Sequence, residues 1–298
     1  MCSIKEQEIN SVLTIGLFPN TNKSNVTPIL DRIVAYLKER QVRVLLADDV
    51  AEVTNYHELA FKREQIKNEI NLAVSLGGDG TLLQTVREVA PAGVPVCGIN
   101  LGQLGFLTEI EIADLDQALD RLILGNYTLQ ERLMLDAVLV RDNRETYLSS
   151  ALNDVVVTKG GCSRMIRLKL YIDGELTAKY PADGLILSTS TGSTGYSLSA
   201  GGPIVSPGLN VIVVTPICPH ALHARSMVVS ENEELRLAIN AAHDDIILTI
   251  DGQNVFNLLP SDEILIRRSA TCAKFIRISS EGYFHRLRLK LWRNDDEN

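Results

Sequence analysis

The chain has 298 residues, 45% of them apolar and 22% charged, with 37 acidic against 29 basic side chains and a formal net charge of −8. At about 150 residues per domain this suggests roughly two domains, and the acidic balance argues against a nucleic-acid binder held by phosphate contacts, while composition excludes collagen-like, disordered and disulfide-rich classes. Five scattered cysteines without a C-x-x-C pair (Cys2, Cys97, Cys162, Cys218, Cys272), no signal-peptide core in residues 1–10 and no apolar run near the about 18 residues of a membrane helix together lead us to expect a cytoplasmic protein with free thiols.

Residues 12–18 form a short apolar run ended by Pro19-Asn20, which reads as a buried strand. A helix is expected next, with Thr27 as N-cap and Pro28 at its first position. Val26, Leu30, Ile33, Val34 and Leu37 line one of its faces. Residues 42–46, 72–76 and 94–99 read as further strands, with a helix over 81–90. Asp114 opens another helix through Leu115, Leu119, Leu122 and Ile123, which Gly125 closes. This alternation implies an α/β domain over residues 1–133, a parallel sheet with flanking helices.

From Met134 the pattern changes. Residues 134–140, 155–158, 166–172, 185–188, 211–215, 235–239 and 246–250 all read as strands. Within 166–172 the apolar residues alternate strictly, and Asp173-Gly174 behind them marks a hairpin turn. No helix is expected between Met134 and Ile266. An all-β domain over residues 134–270 follows, with no flexible linker before it.

Two stretches stand out chemically. Gly77-Gly78-Asp79-Gly80-Thr81 lies between an expected strand and an expected helix. Gly77, Gly78, Gly80 and Thr81 suit a phosphate cradle, since glycine lets a backbone approach a ligand and a helix start offers free N–H groups. The spacing is neither a dinucleotide fingerprint nor a P-loop, because Leu83 holds the third glycine position and no Gly-Lys-Ser/Thr follows. Asp79 is the informative residue: a carboxylate repels phosphate unless it takes a proton from a nucleophile or holds a metal. The motif therefore points to phosphoryl transfer to a hydroxyl. The plain alternative is a tight turn with Asp79 as helix cap.

The second stretch is Asp183-Gly184, a short strand, then a run of Ser, Thr and Gly from Ser188 to Gly195 that continues through Tyr196-Ser197-Leu198-Ser199 to Pro203. Such a loop presents hydroxyls and N–H groups to a polar ligand, with Tyr196 able to stack on a base; a solvent-facing loop is the alternative. Asn153-Asp154, Asp251-Gly252-Gln253 and Arg164 read, one at a time, as an Asx turn, a hairpin and a solvated cation. Cys218, His220 and His223 lack a second ligand pair for zinc, and no G-x-S-x-G elbow is present.

Taken together, residues 77–81, the stretch Ile99-Asn100-x-Gly102-x-Leu104-Gly105-Phe106-Leu107, Asn153-Asp154 and the block from Asp183 to Pro203 resemble the NAD kinase family, as does the ending Leu287-Arg288-Leu289-Lys290-Leu291-Trp292. The Gly-Gly-Asp-Gly element alone is shared with lipid kinases and phosphofructokinases; the hydroxyl-rich block singles out NAD kinase. The resemblance implies ATP-dependent phosphorylation of the adenosine-ribose 2′-hydroxyl of NAD to give NADP, with a divalent cation, Mg²⁺, carried on ATP. It implies Asp79 as general base, and Asp79, Gly80, Asn153, Asp154, Arg164, Asp183, Thr194, Gly195, Tyr196, Ser197, Leu198, Ser199 and Gln253 on the dinucleotide. No protein-held metal is expected beside these, since Mg²⁺ binds mostly through substrate phosphates. The resemblance further implies that residues 271–298 return to the first domain and that the chain forms homo-oligomers; the acidic balance and the lack of a membrane-length apolar run lead us to expect neither nucleic acid nor membrane as partner. Two positions depart from the family pattern and bear on dinucleotide preference: Pro181, where a basic residue is common, and Gly195, where alanine is usual. A lipid or sugar kinase and a non-catalytic dinucleotide sensor are the alternative readings.

Overall fold

The computed structural model describes residues 12–102, 105–161, 164–221, 223–278 and 282–291. Leu104, Cys2, Cys162 and Trp292, named above, lie outside these. The chain divides into two compact units, Met1–Gln130 with Lys274–Gly282, and Glu131–Ala273 with Tyr283–Asn298.

In chain order the strands are β1 (Thr14–Pro19), β2 (Arg43–Ala47), β3 (Ala60–Phe61), β4 (Leu72–Gly77), β5 (Val96–Asn100), β6 (Ile110–Glu111), β7 (Thr128–Arg132), β8 (Leu135–Arg141), β9 (Arg144–Ala151) and β10 (Asp154–Lys159). They continue as β11 (Ile166–Ile172), β12 (Glu175–Ala182), β13 (Gly184–Thr189), β14 (Val211–Ile217), β15 (Met227–Ser230), β16 (Leu235–Asn240), β17 (Ile246–Ile250), β18 (Asn254–Leu258), β19 (Glu263–Arg268) and β20 (Ala273–Arg277). The α-helices are α1 (Val26–Glu39), α2 (Asp48–Thr54), α3 (Arg63–Ile66), α4 (Asp79–Val89), α5 (Leu115–Ile123), α6 (Tyr196–Ser199) and α7 (Tyr283–Leu291).

The first unit is built on one sheet of order β3-β2-β1-β4-β5-β20-β7, with β6 on β5. Its pairings β1–β2, β1–β4, β4–β5, β2–β3 and β5–β20 are all parallel. Every residue of β1 and β4 is buried, which is why both read as mainly apolar runs, with Thr14 and Ser75 as buried polar exceptions, and not as alternation. The stripe Val26, Leu30, Ile33, Val34 and Leu37 of α1 packs into the same core as Ile15, Leu17, Val74 and Leu76.

Two helix starts differ from expectation. Helix α1 begins at Val26 behind Asn25, so Thr27 and Pro28 lie inside the first turn. Proline fits there because the first four N–H groups of a helix have no partner within it. The Asn25 side chain donates instead to the carbonyl of Leu101 at 3.0 Å. Helix α4 begins at Asp79 with Gly78 as its N-cap, two residues earlier than the apolar pattern indicates.

The second unit holds two six-stranded antiparallel sheets, of order β15-β14-β13-β10-β17-β18 and β12-β11-β16-β19-β8-β9. Ile166, Leu168 and Leu170 of β11 are fully buried and join a core with Leu185, Leu187, Leu248 and Ile250. The expected hairpin forms, with Asp173 and Gly174 both at positive φ and Ile172 opposite Glu175. Strand β9 was not legible because its turn, Asp142-Asn143, reaches positive φ without a glycine, and because its first four residues are exposed.

One expectation fails here. The stretch without expected helices contains a 3₁₀ turn at Gly192–Thr194 and the short α6. Hydroxyls, not apolar periodicity, fold this segment: Ser193 Oγ donates to Ser190 O at 2.7 Å, and the Gly192 N–H donates to Thr189 Oγ1 at 3.1 Å. No helix among the described residues is long and apolar enough to cross a membrane.

Candidate active site

In the first unit the chain moves one way from β1, to β2, and the other way from β4, to β5. The reversal falls between β1 and β4, and in open parallel sheets ligands bind beyond the carboxyl ends of strands at such a point. Strand β4 ends there on Gly77, and Asp79 is the first residue of α4. A Cβ on Gly77 would overlap the side chain of Thr81, so the close turn requires glycine. The Leu101 N–H donates to Gly77 O at 2.8 Å, and the Asn100 side chain donates to Gly102 O at 2.9 Å. The loop after β5 is thereby stitched to the loop after β4.

Asp79 does not cap its own helix, whose N-cap carries no side-chain hydrogen bond. Its carboxylate instead accepts three backbone N–H groups from the loop after β5. Oδ2 takes Phe106 at 2.8 Å, and Oδ1 takes Leu107 at 3.1 Å and Thr108 at 3.3 Å. A Cβ on Gly105 would overlap Asp79 Oδ1. These four residues fix where the carboxylate points. The sequence marked Gly105, Phe106 and Leu107 by resemblance only; an amide clamp leaves no side-chain signature.

In the second unit three segments close on Asn153-Asp154, at the start of β10. Asp251, in the turn between β17 and β18, is decisive. Its Oδ1 accepts the N–H of Asn153 at 2.7 Å and of Asp154 at 3.2 Å, and its Oδ2 accepts that of Leu152 at 3.1 Å. From the other side, Thr189 N–H donates to Asn153 O at 2.8 Å and Thr189 Oγ1 to Leu152 O at 2.6 Å. A Cβ on Gly192 would overlap the carbonyl of Asn153. Burial, and then the neighbouring charge of Asp251, pushes the Asp154 carboxyl up to about 7. Asn153 Oδ1 and Thr191 Oγ1 are buried without a hydrogen-bond partner, as expected of groups that await a polar ligand.

The other sequence candidates divide. A Cβ at Gly195 would stand 3.9 Å from Asp154 Oδ2 and 3.2 Å from Gly192 O, which places this glycine beside Asp154. Tyr196 is exposed, Leu198 is half-buried and Ser199 is exposed, whereas Ser197 is fully buried and bonds Thr215 Oγ1 at 2.9 Å. Thr194 Oγ1 turns back to Thr191 O at 3.4 Å. Asp183 pairs with Lys159 at 3.2 Å, a lysine that sequence reasoning missed. Arg164 is exposed and its carbonyl meets His243 Nε2 at 2.7 Å. Gln253 sits in the same turn as Asp251, its N–H donating to Ile250 O at 3.0 Å. Pro181 lies on the edge strand β12, where a missing N–H costs little.

A family model of the ATP-NAD kinase N-terminal domain matches residues 15–127, and one of the C-terminal domain matches residues 152–278. The chain belongs to the ATP-NAD kinase family. An NAD kinase of Moorella thermoacetica is 46% identical over 288 residues, covering 95% of this chain and 92% of the relative. One of Heliobacterium modesticaldum is 44% identical over 279 residues, covering 93% and 98%. Among solved structures, yeast NADH kinase complexed with NADH superposes with a TM-score of 0.88 at 26% identity, covering 97% of this chain and 90% of that one. An NAD kinase from Archaeoglobus fulgidus in complex with ATP gives 0.73 at 26% identity, covering 92% and 97%. The two-domain architecture, α/β then all-β, is thus that of the ATP-NAD kinases.

Proposed function

We propose that this chain transfers the γ-phosphoryl group of ATP to the 2′-hydroxyl of the adenosine ribose of NAD, giving NADP and ADP, with Asp79 as general base. It is a phosphotransferase with an alcohol acceptor. The observation that carries the assignment is the single carboxylate of Asp79 in a glycine turn at the switch point of the sheet, held by the amides of Phe106, Leu107 and Thr108. The hydroxyl oxygen attacks the γ-phosphorus, the bond to the β,γ-bridging oxygen breaks, ADP leaves, and the hydroxyl proton passes to Asp79. Three amides leave a carboxylate about one acceptor position of its four, which is what a base needs.

Phosphoryl transfer requires mainly positioning and charge neutralisation. Gly77, Gly78, Gly80 and Thr81 supply the backbone cradle for phosphate. Asp79 and Gly80 in the α/β unit, and Asn153, Asp154, Arg164, Asp183, Thr194, Gly195, Tyr196, Ser197, Leu198, Ser199 and Gln253 in the β unit, serve the dinucleotide. The orphaned Asn153 Oδ1 supports that reading; a carboxyl such as that of Asp154 suits ribose hydroxyls. We assign the phosphate cradle to an α/β domain of residues 1–133, the dinucleotide contacts to an all-β domain of residues 134–270, and residues 271–298 to a segment returning to the first, of which Lys274–Gly282 group with the first unit and Tyr283–Asn298 with the second.

No group of three or more His, Cys, Asp or Glu side chains suited to a metal lies among the described residues, and most acceptor positions of Asp79 are taken. That donor set fits Mg²⁺ carried by ATP, since this ion keeps several waters and binds largely through phosphates. When bound it supplies charge neutralisation on the phosphates. We further propose a cytoplasmic homo-oligomer, dimer or tetramer, which light scattering on the purified chain measures.

A coupled assay with ATP and Mg²⁺ against NAD, diacylglycerol and fructose 6-phosphate tests the function. NADP forms with NAD, and no product forms with the other two; phosphorylation of a lipid or sugar in place of NAD overturns the assignment, and NAD binding without turnover makes the chain a sensor.

A further inference from the structure

Beyond the glycine turn, the carboxyl end of β1 also reaches the switch point, and the segment that follows it, residues 20–25, carries Lys23. This segment is pinned at both ends. The Asn20 N–H donates to Leu76 O at 2.9 Å and Asn20 Nδ2 to Thr81 Oγ1 at 3.3 Å. Asn25 Nδ2 donates to Leu101 O at 3.0 Å. Asn20 thus ties the segment to the loop after β4, and Asn25 ties it to the loop after β5. Between the two ties, Lys23 Nζ stands 3.4 Å from where a Cβ of Gly102 would be and 4.0 Å from that of Gly78. The ammonium therefore overlies the two glycine-lined loops together. Lys23 is half-buried, and among the described residues its ammonium makes neither an ion pair nor a hydrogen bond.

We propose that Lys23 is the cation that binds the donor's phosphate groups, a substrate-binding residue for the transfer described above. The assignment rests on that reading for the identity of the donor; the chemistry it requires is a polyphosphate oxyanion lying against Gly78 and Gly102. A chain of net charge −8 gains little from its mean field in attracting a polyanion, so a local cation is needed. An ammonium is a compact point charge that suits phosphate oxygens from several directions. Glycine at 78 and 102 leaves the space beneath it open: a Cβ at either position meets nothing nearer than Lys23 Nζ itself. A lysine held over that space without a carboxylate is positioned for a ligand that brings the negative charge.

The test uses the full chain with Lys23→Ala and Lys23→Arg. By steady-state kinetics, Lys23→Ala raises KM for ATP at least about 10-fold and lowers kcat, while KM for NAD stays within about twofold; Lys23→Arg recovers most of the loss, as a charge-assisted phosphate contact predicts. Isothermal titration with tripolyphosphate reads the same contact without turnover: the wild type binds it, Lys23→Ala binds it at least about 10-fold more weakly, and melting temperatures match. Unchanged ATP kinetics and tripolyphosphate affinity in Lys23→Ala overturn the proposal, as does a rise confined to KM for NAD. Absence of NADP formation by the wild type with intact, Lys23-dependent tripolyphosphate binding would sink the NAD kinase reading and leave the phosphate site standing.

Discussion

Asp251 and Asp154 are tied twice, once through a side chain and once through the main chain: the Asp154 N–H donates to Asp251 Oδ1 at 3.2 Å, and the Asp251 N–H donates to the Asp154 carbonyl O at 2.9 Å. One carboxylate spends itself on backbone amides, and the other is left buried beside it. Burial and that neighbouring charge push Asp154 from 3.8 up to about 7. The arrangement costs stability and holds a carboxyl poised near neutrality, a pattern common at functional sites.

The first prediction is a pH-dependent stability difference. A carboxyl raised in the folded state binds its proton more tightly there than in the unfolded chain, so its contribution is fully present below about pH 4 and lost as pH rises through about 7. Asp154→Asn removes that loss. Thermal melts should show the variant gaining on the wild type between pH 5 and pH 8; a gap independent of pH contradicts the account.

The proposed dinucleotide role of Asp154 extends this pH dependence to NAD affinity. An ionised Asp154 accepts hydrogen bonds from ribose hydroxyls and a protonated one does so less well, so KM for NAD should fall as pH rises through about 7. Asp251→Asn removes the neighbouring charge, and the inflection should move to lower pH. A profile whose inflection stays put excludes Asp251 as its cause.

Gly105→Ala tests the clamp on Asp79. The added Cβ would overlap Asp79 Oδ1 and stand 2.8 Å from Thr108 Oγ1, so the carboxylate or its loop must shift. Displacement near 1 Å costs about 10²-fold in rate. We expect kcat to fall about 10- to 100-fold with NAD affinity within about threefold, and a variant with wild-type kcat would show that the loop does not position the base.

Gly192→Ala places a Cβ on the carbonyl of Asn153, main chain that cannot turn aside. Denaturant unfolding should register a loss of about 1–3 kcal/mol, with a raised KM for NAD. Wild-type values for both would mean the two segments separate freely.

The elements with strong periodicity were legible from sequence: the buried runs of β1 and β4, the stripe of α1, the alternation of β11 and its Asp173-Gly174 turn. Asp79 also stands out in the sequence, because a carboxylate among glycines is chemically odd, and the structure holds that carboxylate on three amides. What stayed hidden works through the main chain. The amides of Phe106, Leu107 and Thr108 and the contact faces of Gly105 and Gly192 have no residue-type signal. Asp251 looked like any hairpin aspartate, since nothing local shows that its carboxylate reaches residues 152–154, nearly a hundred positions away. Ser and Thr favour the cap position, which points to Thr27, but the helix begins at Val26 behind Asn25, whose side chain donates to Leu101 O.

The most direct measurement is turnover of Asp79→Asn alongside NAD binding by titration. The account predicts NAD affinity within about threefold and a kcat lower by about 10²–10⁴, the worth of a general base, with a loss exceeding that of Gly105→Ala. A kcat near the wild-type value would contradict it.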